Sequence, residues 1–389
     1  MNYSNIVSVV KKQISIKLRQ RLSMNTTSLV ANINMDMTNK QPRVLISYNS
    51  APLINVNQKN KLHTNFYETL QIINIFIKKN FIIDIVDCND LAVLPKIENI
   101  KYELIFGLGE VFYYMTKNYP YINNCIYVTE NSPDFSKEKE TERIKYFYER
   151  NKIRILYSRT DEFFRNEHFE HAKNAVVMGI ESQFRKYKFK KLITINPTGH
   201  HNENFTSHYL FTDKIKKSFL WFGSNGAVHK GLDVLIDIAQ RNKDFDLHIC
   251  GLSSKEEYLF RKSILKSKNI YNHGIVDVNS QMFITIINSV SFMVFPSCSE
   301  GMSTAVLTIA RHGVLLLLQR NSGMDRLGDY AFWLDDFKVE YIEKRMREVS
   351  ELDNNFLTKK SQELQEYANI EFCLDKFSEN FNKCIEEIL

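Results

Sequence analysis

Phe219–Ala239 reads FLWFGSNGAVHKGLDVLIDIA: an apolar run stops at Gly223, a small polar loop follows, and apolar residues resume in the 3.6-residue rhythm of a helix. A strand that ends at a glycine and feeds a helix through a short loop is the repeating unit of a parallel sheet. The rhythm continues on both sides. Downstream, DLHICG (Asp246–Gly251), FMVFPS (Phe292–Ser297) and VLLLLQ (Val314–Gln319) read as buried strands spaced by helical patterns. Upstream, RVLISY (Arg43–Tyr48), FIIDIVD (Phe81–Asp87), ELIFG (Glu103–Gly107), NCIYV (Asn124–Val128), NAVVMG (Asn174–Gly179) and LITIN (Leu192–Asn196) do the same, with helices such as Thr64–Lys79 between them. The polar stretch NPTGHHNENFTSHYLFTDKIKK (196–217) separates the two series, so two doubly wound units in tandem are expected.

The 389 residues suit two domains of common size, and 44% hydrophobic with 25% charged residues excludes disordered and fibrous classes. Six scattered cysteines form no CxxC pair and no zinc-finger spacing with histidine, which argues for reduced thiols in a cytosolic compartment and against a structural metal. No run of about 18 apolar residues and no signal peptide is read, so a cytoplasmic chain is expected. Residues 1–25 place Ile6, Val10, Ile14, Leu18 and Leu22 four apart, with Lys11, Lys12, Lys17, Arg19 and Arg21 supplying charge and no acid before Asp36. This pattern fits an amphipathic helix on an anionic membrane surface; the alternatives are a helix packed on its own protein and a disordered tail. The net charge of +6 favours anionic ligands of any kind.

In sheets of this type ligands bind at the carboxyl ends of strands, where loops feed helix N-termini. Two such loops carry charge. After FLWFG, the loop SNGAVH is suited to curl around an anion, with Gly226 permitting close backbone approach and Lys230 adding a point charge. After FMVF, the loop PSCSEGMS holds Glu300 against a helix start, where its carboxylate is favoured and can accept from ligand hydroxyls. Alone, Lys230 is a solvated helix-start lysine and Glu300 a capping acid; at corresponding positions of one sheet they read as a cation and an acid sharing a ligand. His229 and the pair His200 and His201 are read as structural.

FLWFGSNGAVHKGLDVLIDIA, DLHICG, NIYNHGIVDV (269–278), FPSCSEGMSTAVL (295–307) and the tail YANIEFCLDKFSENFNKCIEEIL (367–389) resemble, in order and spacing, the GT-B glycosyltransferases of family four, retaining enzymes that use nucleotide-sugar donors. RVLISY, HTNFYETLQIINIFIKKNFIIDIVD (63–87) and ERIKYFYERNKIRILYSR (142–159) are similar to acceptor-side domains of some such transferases. The resemblance implies an α/β protein of GT-B fold, two Rossmann-like doubly wound domains facing across a cleft. The expected organisation is a basic amphipathic segment 1–40, an acceptor domain 41–205, a donor domain 206–375 and a C-terminal helix 376–389 that crosses back to the first domain.

Carried over by position, the resemblance implies that Lys230 holds the donor diphosphate and that Glu300 contacts the donor sugar hydroxyls. Gly223, Ser224, Ser299, Gly301, Met302, Ser303 and Thr308 surround phosphate and sugar, and Gly251 and Val276 lie where the base rests. Two positions depart from the pattern: Ser224 stands where an arginine usually shares the diphosphate, and Thr308 where a second glutamate binds ribose. His63, Asn65 and Glu68 open the first helix of the first domain and are acceptor-side candidates or helix caps.

No cofactor and no metal are expected. The one Asp-x-Asp spelling, Asp244–Asp246, precedes its strand and so lies at the wrong end of the sheet. GLG (107–109) lacks the third glycine and ribose acid of a dehydrogenase, and RKYKFKK (185–191) reads as a solvated surface rather than a nucleic-acid patch. The expected activity is hexosyl or related transfer, retaining and metal-independent, to a glycan or lipid-linked acceptor in bacterial surface polysaccharide synthesis such as capsule or O-antigen of lipopolysaccharide, peripheral on the inner face of the membrane. The alternatives are a degenerate GT-B binding subunit and a sugar-phosphate epimerase or phosphorylase on the same fold.

Overall fold

The structure, a computed structural model, describes residues 27–54, 64–205, 211–212 and 214–389. The amphipathic stripe of residues 1–25 and His63 lie outside the described residues. The chain forms two compact units. Of the described residues, one comprises those before Pro133 with Phe163–Thr198 and Leu374–Leu389; the other comprises Pro133–Glu162 and those of Gly199–Cys373.

The first unit is built on strands β1 (Val30–Ile33), β2 (Arg43–Tyr48), β3 (Ile82–Asp87), β4 (Leu104–Gly107), β5 (Asn123–Val128), β6 (Asn174–Val177) and β7 (Lys191–Thr194), in spatial order β1-β3-β2-β4-β5-β6-β7. All neighbours pair in parallel except β1, which runs antiparallel to β3 at the edge. β2 to β6 bury both of their faces, which is why they read as largely hydrophobic runs; the buried acid within them, Asp84 of β3, accepts from Arg43 and Tyr102. β1 escapes that reading: it is short, sits at an edge, and Asn32 takes a left-handed φ of 59° within it. The final helix, Leu374–Ile388, packs in this unit through Phe377, Phe381 and Ile385, with the Phe381 ring edge-on to Phe106 at 5.3 Å. Asn123 donates to its last carbonyl at Ile388, 3.0 Å, and Lys79 pairs with its Glu386.

The second unit carries β8 (Ser218–Phe222), β9 (Asp246–Cys250), β10 (Ile270–Gly274), β11 (Phe292–Phe295), β12 (Leu315–Gln319) and β13 (Phe332–Leu334), in order β10-β9-β8-β11-β12-β13 and parallel throughout. Its core is continuous from Trp221 and Phe219 through Leu315–Leu318 to Leu357 and Leu364 on the long Asn354–Glu371 helix. The Pro133–Asn151 helix belongs here although it lies in sequence among the strands of the first unit. Two arginines hold it. Arg143 is buried, donates to the Pro296 carbonyl and stacks over Phe337 at 4.7 Å; Arg150 pairs with both Asp233 and Asp237 on the Leu232–Arg241 helix. All six cysteines are free thiols. Among the described residues no helix is long and apolar enough to cross a membrane.

Candidate functional site

β8 and β11 are neighbours and parallel, so the loops that leave their carboxyl ends emerge side by side, and this brings Lys230 to Glu300. The first loop is rigid at both ends. Gly251, at φ +89°, sits so close to the end of β8 that a Cβ there would lie 2.0 Å from the Gly223 carbonyl oxygen. Trp221 donates from Nε1 to the Lys230 carbonyl at 3.1 Å, and the Lys230 amide closes a turn onto Gly226 at 2.8 Å. Gly231 is left-handed at φ +74°, and a Cβ would strike Pro296 at 2.5 Å. Lys230 is therefore held at the mouth of its helix, nearly buried, its Nζ donating to the Asn225 carbonyl at 3.0 Å and lying 3.4 Å from Glu300 Oε1.

Glu300 is fixed with equal care. Ser297 Oγ donates to its carboxylate at 2.9 Å, its own amide donates to the Ser322 carbonyl at 2.6 Å, and its carbonyl leaves no room for a side chain at Gly323, where a Cβ would lie 1.9 Å away. Burial acts to raise the Glu300 carboxyl, but Lys230 first, then His229 and Arg159, outweigh it and hold the group below its ordinary 4.5. Glu300 is thus a carboxylate at neutral pH, a pure hydrogen-bond acceptor beside an ammonium donor.

Beneath this pair runs a second, fully buried one. His229 donates from Nε2 to the Ser299 carbonyl at 2.6 Å, and its Nδ1 lies 3.5 Å from Glu140 Oε1 on the Pro133–Asn151 helix. Burial opposes a charged imidazole, yet the Cys298 sulfur and the Glu140 carboxylate overcome that and push His229 up to about 10. Glu140 in turn gathers the turn at Ser158–Thr160 through five donors: the amides of Ser158, Arg159 and Thr160 and the hydroxyls of Ser158 and Thr160. In sequence His229 reads as structural and Glu140 does not stand out; nothing in a strongly polar helix announces that one of its acids is buried.

The loop SNGAVH does curl around an anion, but the anion is the protein's own. Gly226 and Ala227 donate their amides to the Glu256 carboxylate at 3.1 and 2.8 Å, and Ser253 adds a hydroxyl at 3.2 Å. Ser224 beside them is exposed. Gly301, Met302 and Ser303 are buried behind Glu300, with the Ser303 amide against the Met324 sulfur at 3.0 Å, and Ser299 Oγ lies 3.0 Å from Ser136 Oγ. Val276 is half-buried at the edge of the core after β10. Thr308 is buried and engaged on both sides: its hydroxyl donates to Thr304 O at 2.8 Å and accepts from the His200 amide at 2.9 Å. The Gly199 backbone covers it, since a Cβ there would lie 2.6 Å from Leu307 O.

In the first unit Asn65 lies in the first turn of the Thr64–Lys78 helix, its carbonyl capped by Thr69. Glu68 is buried and accepts from the Thr198 amide and hydroxyl at 2.7 and 3.0 Å; burial pushes its carboxyl up to about 7. Asp244 pairs with Lys217 at 2.9 Å at the amino end of β9. Among the described residues no cluster of three or more His, Cys, Asp or Glu side chains is placed to hold a metal ion.

No protein-family model and no curated protein matches the sequence. Solved structures do match by shape. The sucrose-phosphate synthase of Thermosynechococcus elongatus superposes with a TM-score of 0.63 over 90% of this chain and 99% of that one, at 11% identity. HepE of Anabaena, solved with UDP and glucose, gives 0.58 over 90% and 100%, at 9% identity. The fold is GT-B. The pneumococcal O-GlcNAc transferase GtfA, solved with UDP and GlcNAc, shares the GT-B fold at a TM-score of 0.53 and 15% identity, over 78% of this chain and 61% of that one. At these identities the GT-B likeness speaks for architecture, and the chemistry has to be argued from Lys230, Glu300 and their surroundings.

Proposed function

We propose that the protein is a glycosyltransferase that takes a sugar from a nucleotide-sugar donor bound on its second unit and passes it to a glycan or lipid-linked acceptor. The observation that carries this reading is the Lys230–Glu300 pair at the carboxyl ends of two adjacent parallel strands. HepE with UDP and glucose and GtfA with UDP and GlcNAc support a UDP-sugar as donor. The need of the reaction is stabilisation of a departing diphosphate and of an oxocarbenium-like sugar. Lys230 supplies a cation that is already desolvated and positioned, so little reorganisation accompanies charge development on the leaving oxygen. Glu300, ionised, accepts from donor sugar hydroxyls and fixes the ring against that cation.

Transfer is retaining, by attack on the face from which the diphosphate departs, with the leaving phosphate accepting the acceptor's proton, and it proceeds without a metal. The buried Thr308 hydroxyl, already bonded twice, leaves ribose recognition to other groups. The product is a bacterial surface polysaccharide or glycolipid made at the cytoplasmic face, with residues 1–25 as contact to anionic lipid. A second reading, a binding subunit without catalysis, draws on one observation: Glu256 fills the amide nest of the loop after β8.

Incubation with donor and acceptor in the presence of excess EDTA, followed by NMR of the new anomeric centre, tests mechanism and reading together. The expected result is release of nucleoside diphosphate unaffected by chelation and a product with the donor's anomeric configuration. Inversion overturns the retaining mechanism, and an EDTA-sensitive rate overturns metal independence. Donor binding without any transfer or hydrolysis favours the binding subunit.

A further inference from the structure

The loop after β8 lacks two of the groups a diphosphate needs. Position 224 is a serine, and the Gly226 and Ala227 amides are committed to Glu256. Lys230 alone faces a ligand that carries two to three negative charges. A second cation lies against the same loop from a different part of the chain. A Cβ on Gly226 would come within 3.4 Å of Arg159 Cγ and 3.5 Å of its Cδ, so the arginine stem runs across Gly226 while Lys230 Nζ holds the neighbouring Asn225 carbonyl. Arg159 also acts on Glu300, being one of the charges that keep that carboxyl ionised.

The placement is built rather than incidental. Glu140 binds the amides of Ser158, Arg159 and Thr160, and Glu140 is itself beside His229, the residue next to Lys230. Because the anchoring acid is buried and binds the Arg159 amide itself, the point at which the arginine stem leaves the backbone is fixed. Its side chain retains 22% exposure, enough for a ligand to reach.

We infer that Arg159 is the second cation of the donor site, binding the diphosphate of a nucleoside diphosphate sugar opposite Lys230 in place of the arginine that Ser224 replaces, with Glu140 and His229 as positioning residues. This rests on the reading of Lys230 and Glu300 as a nucleotide-sugar site. The planar guanidinium offers paired N–H donors to two phosphate oxygens, which the point charge of Lys230 does not.

The test is calorimetric titration of the full chain with UDP, GDP, ADP, CDP and inorganic pyrophosphate, comparing wild type, Arg159→Ala, Lys230→Ala and the double variant Arg159→Ala with Ser224→Arg. For the diphosphate the wild type binds best, Arg159→Ala is expected to weaken affinity about tenfold to a hundredfold with an unchanged melting temperature, as loss of a charge-assisted bond implies. Ser224→Arg should restore about tenfold or more in the Arg159→Ala background, a rescue that a merely structural role would not give. If Arg159→Ala binds within about twofold of wild type while Lys230→Ala loses binding, Arg159 is not a ligand and the inference is overturned with the site intact. If the wild type binds none of the five probes, the donor-site reading falls, and this inference with it.

Discussion

Lys230→Ala is expected to reduce sugar transfer about tenfold to a hundredfold or more at saturating donor, since a desolvated charge-assisted bond to the leaving diphosphate contributes about 1.5–3 kcal/mol. The loss falls on kcat as well as on donor affinity, because negative charge on the leaving oxygen grows towards the transition state. Glu300 complicates the experiment. Removing the ammonium 3.4 Å from its carboxylate leaves a nearly buried acid without its principal partner, so the variant loses stability too. Lys230→Met, measured with its melting temperature, separates the two effects: a folded Met variant with the same kinetic defect assigns the loss to the ammonium. Near-normal turnover at saturating donor would make Lys230 an ordinary buried cation and the site assignment wrong.

Glu300→Gln is the second large expected effect. The amide keeps the shape and the bond from Ser297 but replaces one acceptor oxygen by a donor and removes the charge that faces Lys230. Transfer should fall about a hundredfold, in the range for loss of a preorganised charged group. Folding should be disturbed much less. The pH dependence has a definite sign. Because the folded carboxyl lies below its ordinary 4.5, the ionised form and the stability it contributes persist at neutral pH and are lost only as pH falls through that lowered value. The acid limb of the rate profile assigned to Glu300 should therefore lie below 4.5 and vanish in the Gln variant. An unchanged acid limb in the Gln variant would show that a different group sets it.

Much of this arrangement is written in local sequence, and some of it is not. The central strands are legible because both faces are covered, so Leu315–Leu318 appears as an unbroken apolar run and Ile82–Val86 as one interrupted only by Asp84, whose carboxylate accepts from Arg43 and Tyr102. β1, β10 and β13 are missed for the opposite reason: three to five residues long at sheet edges, they bury too little to stand out. Lys230 and Glu300 are legible because strand, small-residue loop and helix place each at a strand's carboxyl end, and β8 and β11 happen to be neighbours. Glu140, Arg159 and Glu256 are not legible. Each works by meeting a loop distant in sequence, and the two acids sit among like residues: Glu140 in KEKETER, Glu256 in SKEE. The Pro133–Asn151 helix illustrates the same limit. Beside Phe147 and Tyr146, which reach the second unit's core, its polar residues Arg143 and Arg150 tie it to that unit, and hydrophobic periodicity carries no trace of these two.

The most direct test of the account is thermal unfolding of the full chain across a panel of nucleotide sugars, run in parallel on Lys230→Met. A ligand that binds only the folded state stabilises by about 2.7 kcal/mol at a hundred times its dissociation constant, a shift of several degrees. The account predicts that at least one nucleotide sugar raises the wild-type melting temperature by that amount and that the shift is lost in Lys230→Met. No shift with any member of the panel, or an equal shift in both proteins, would contradict it.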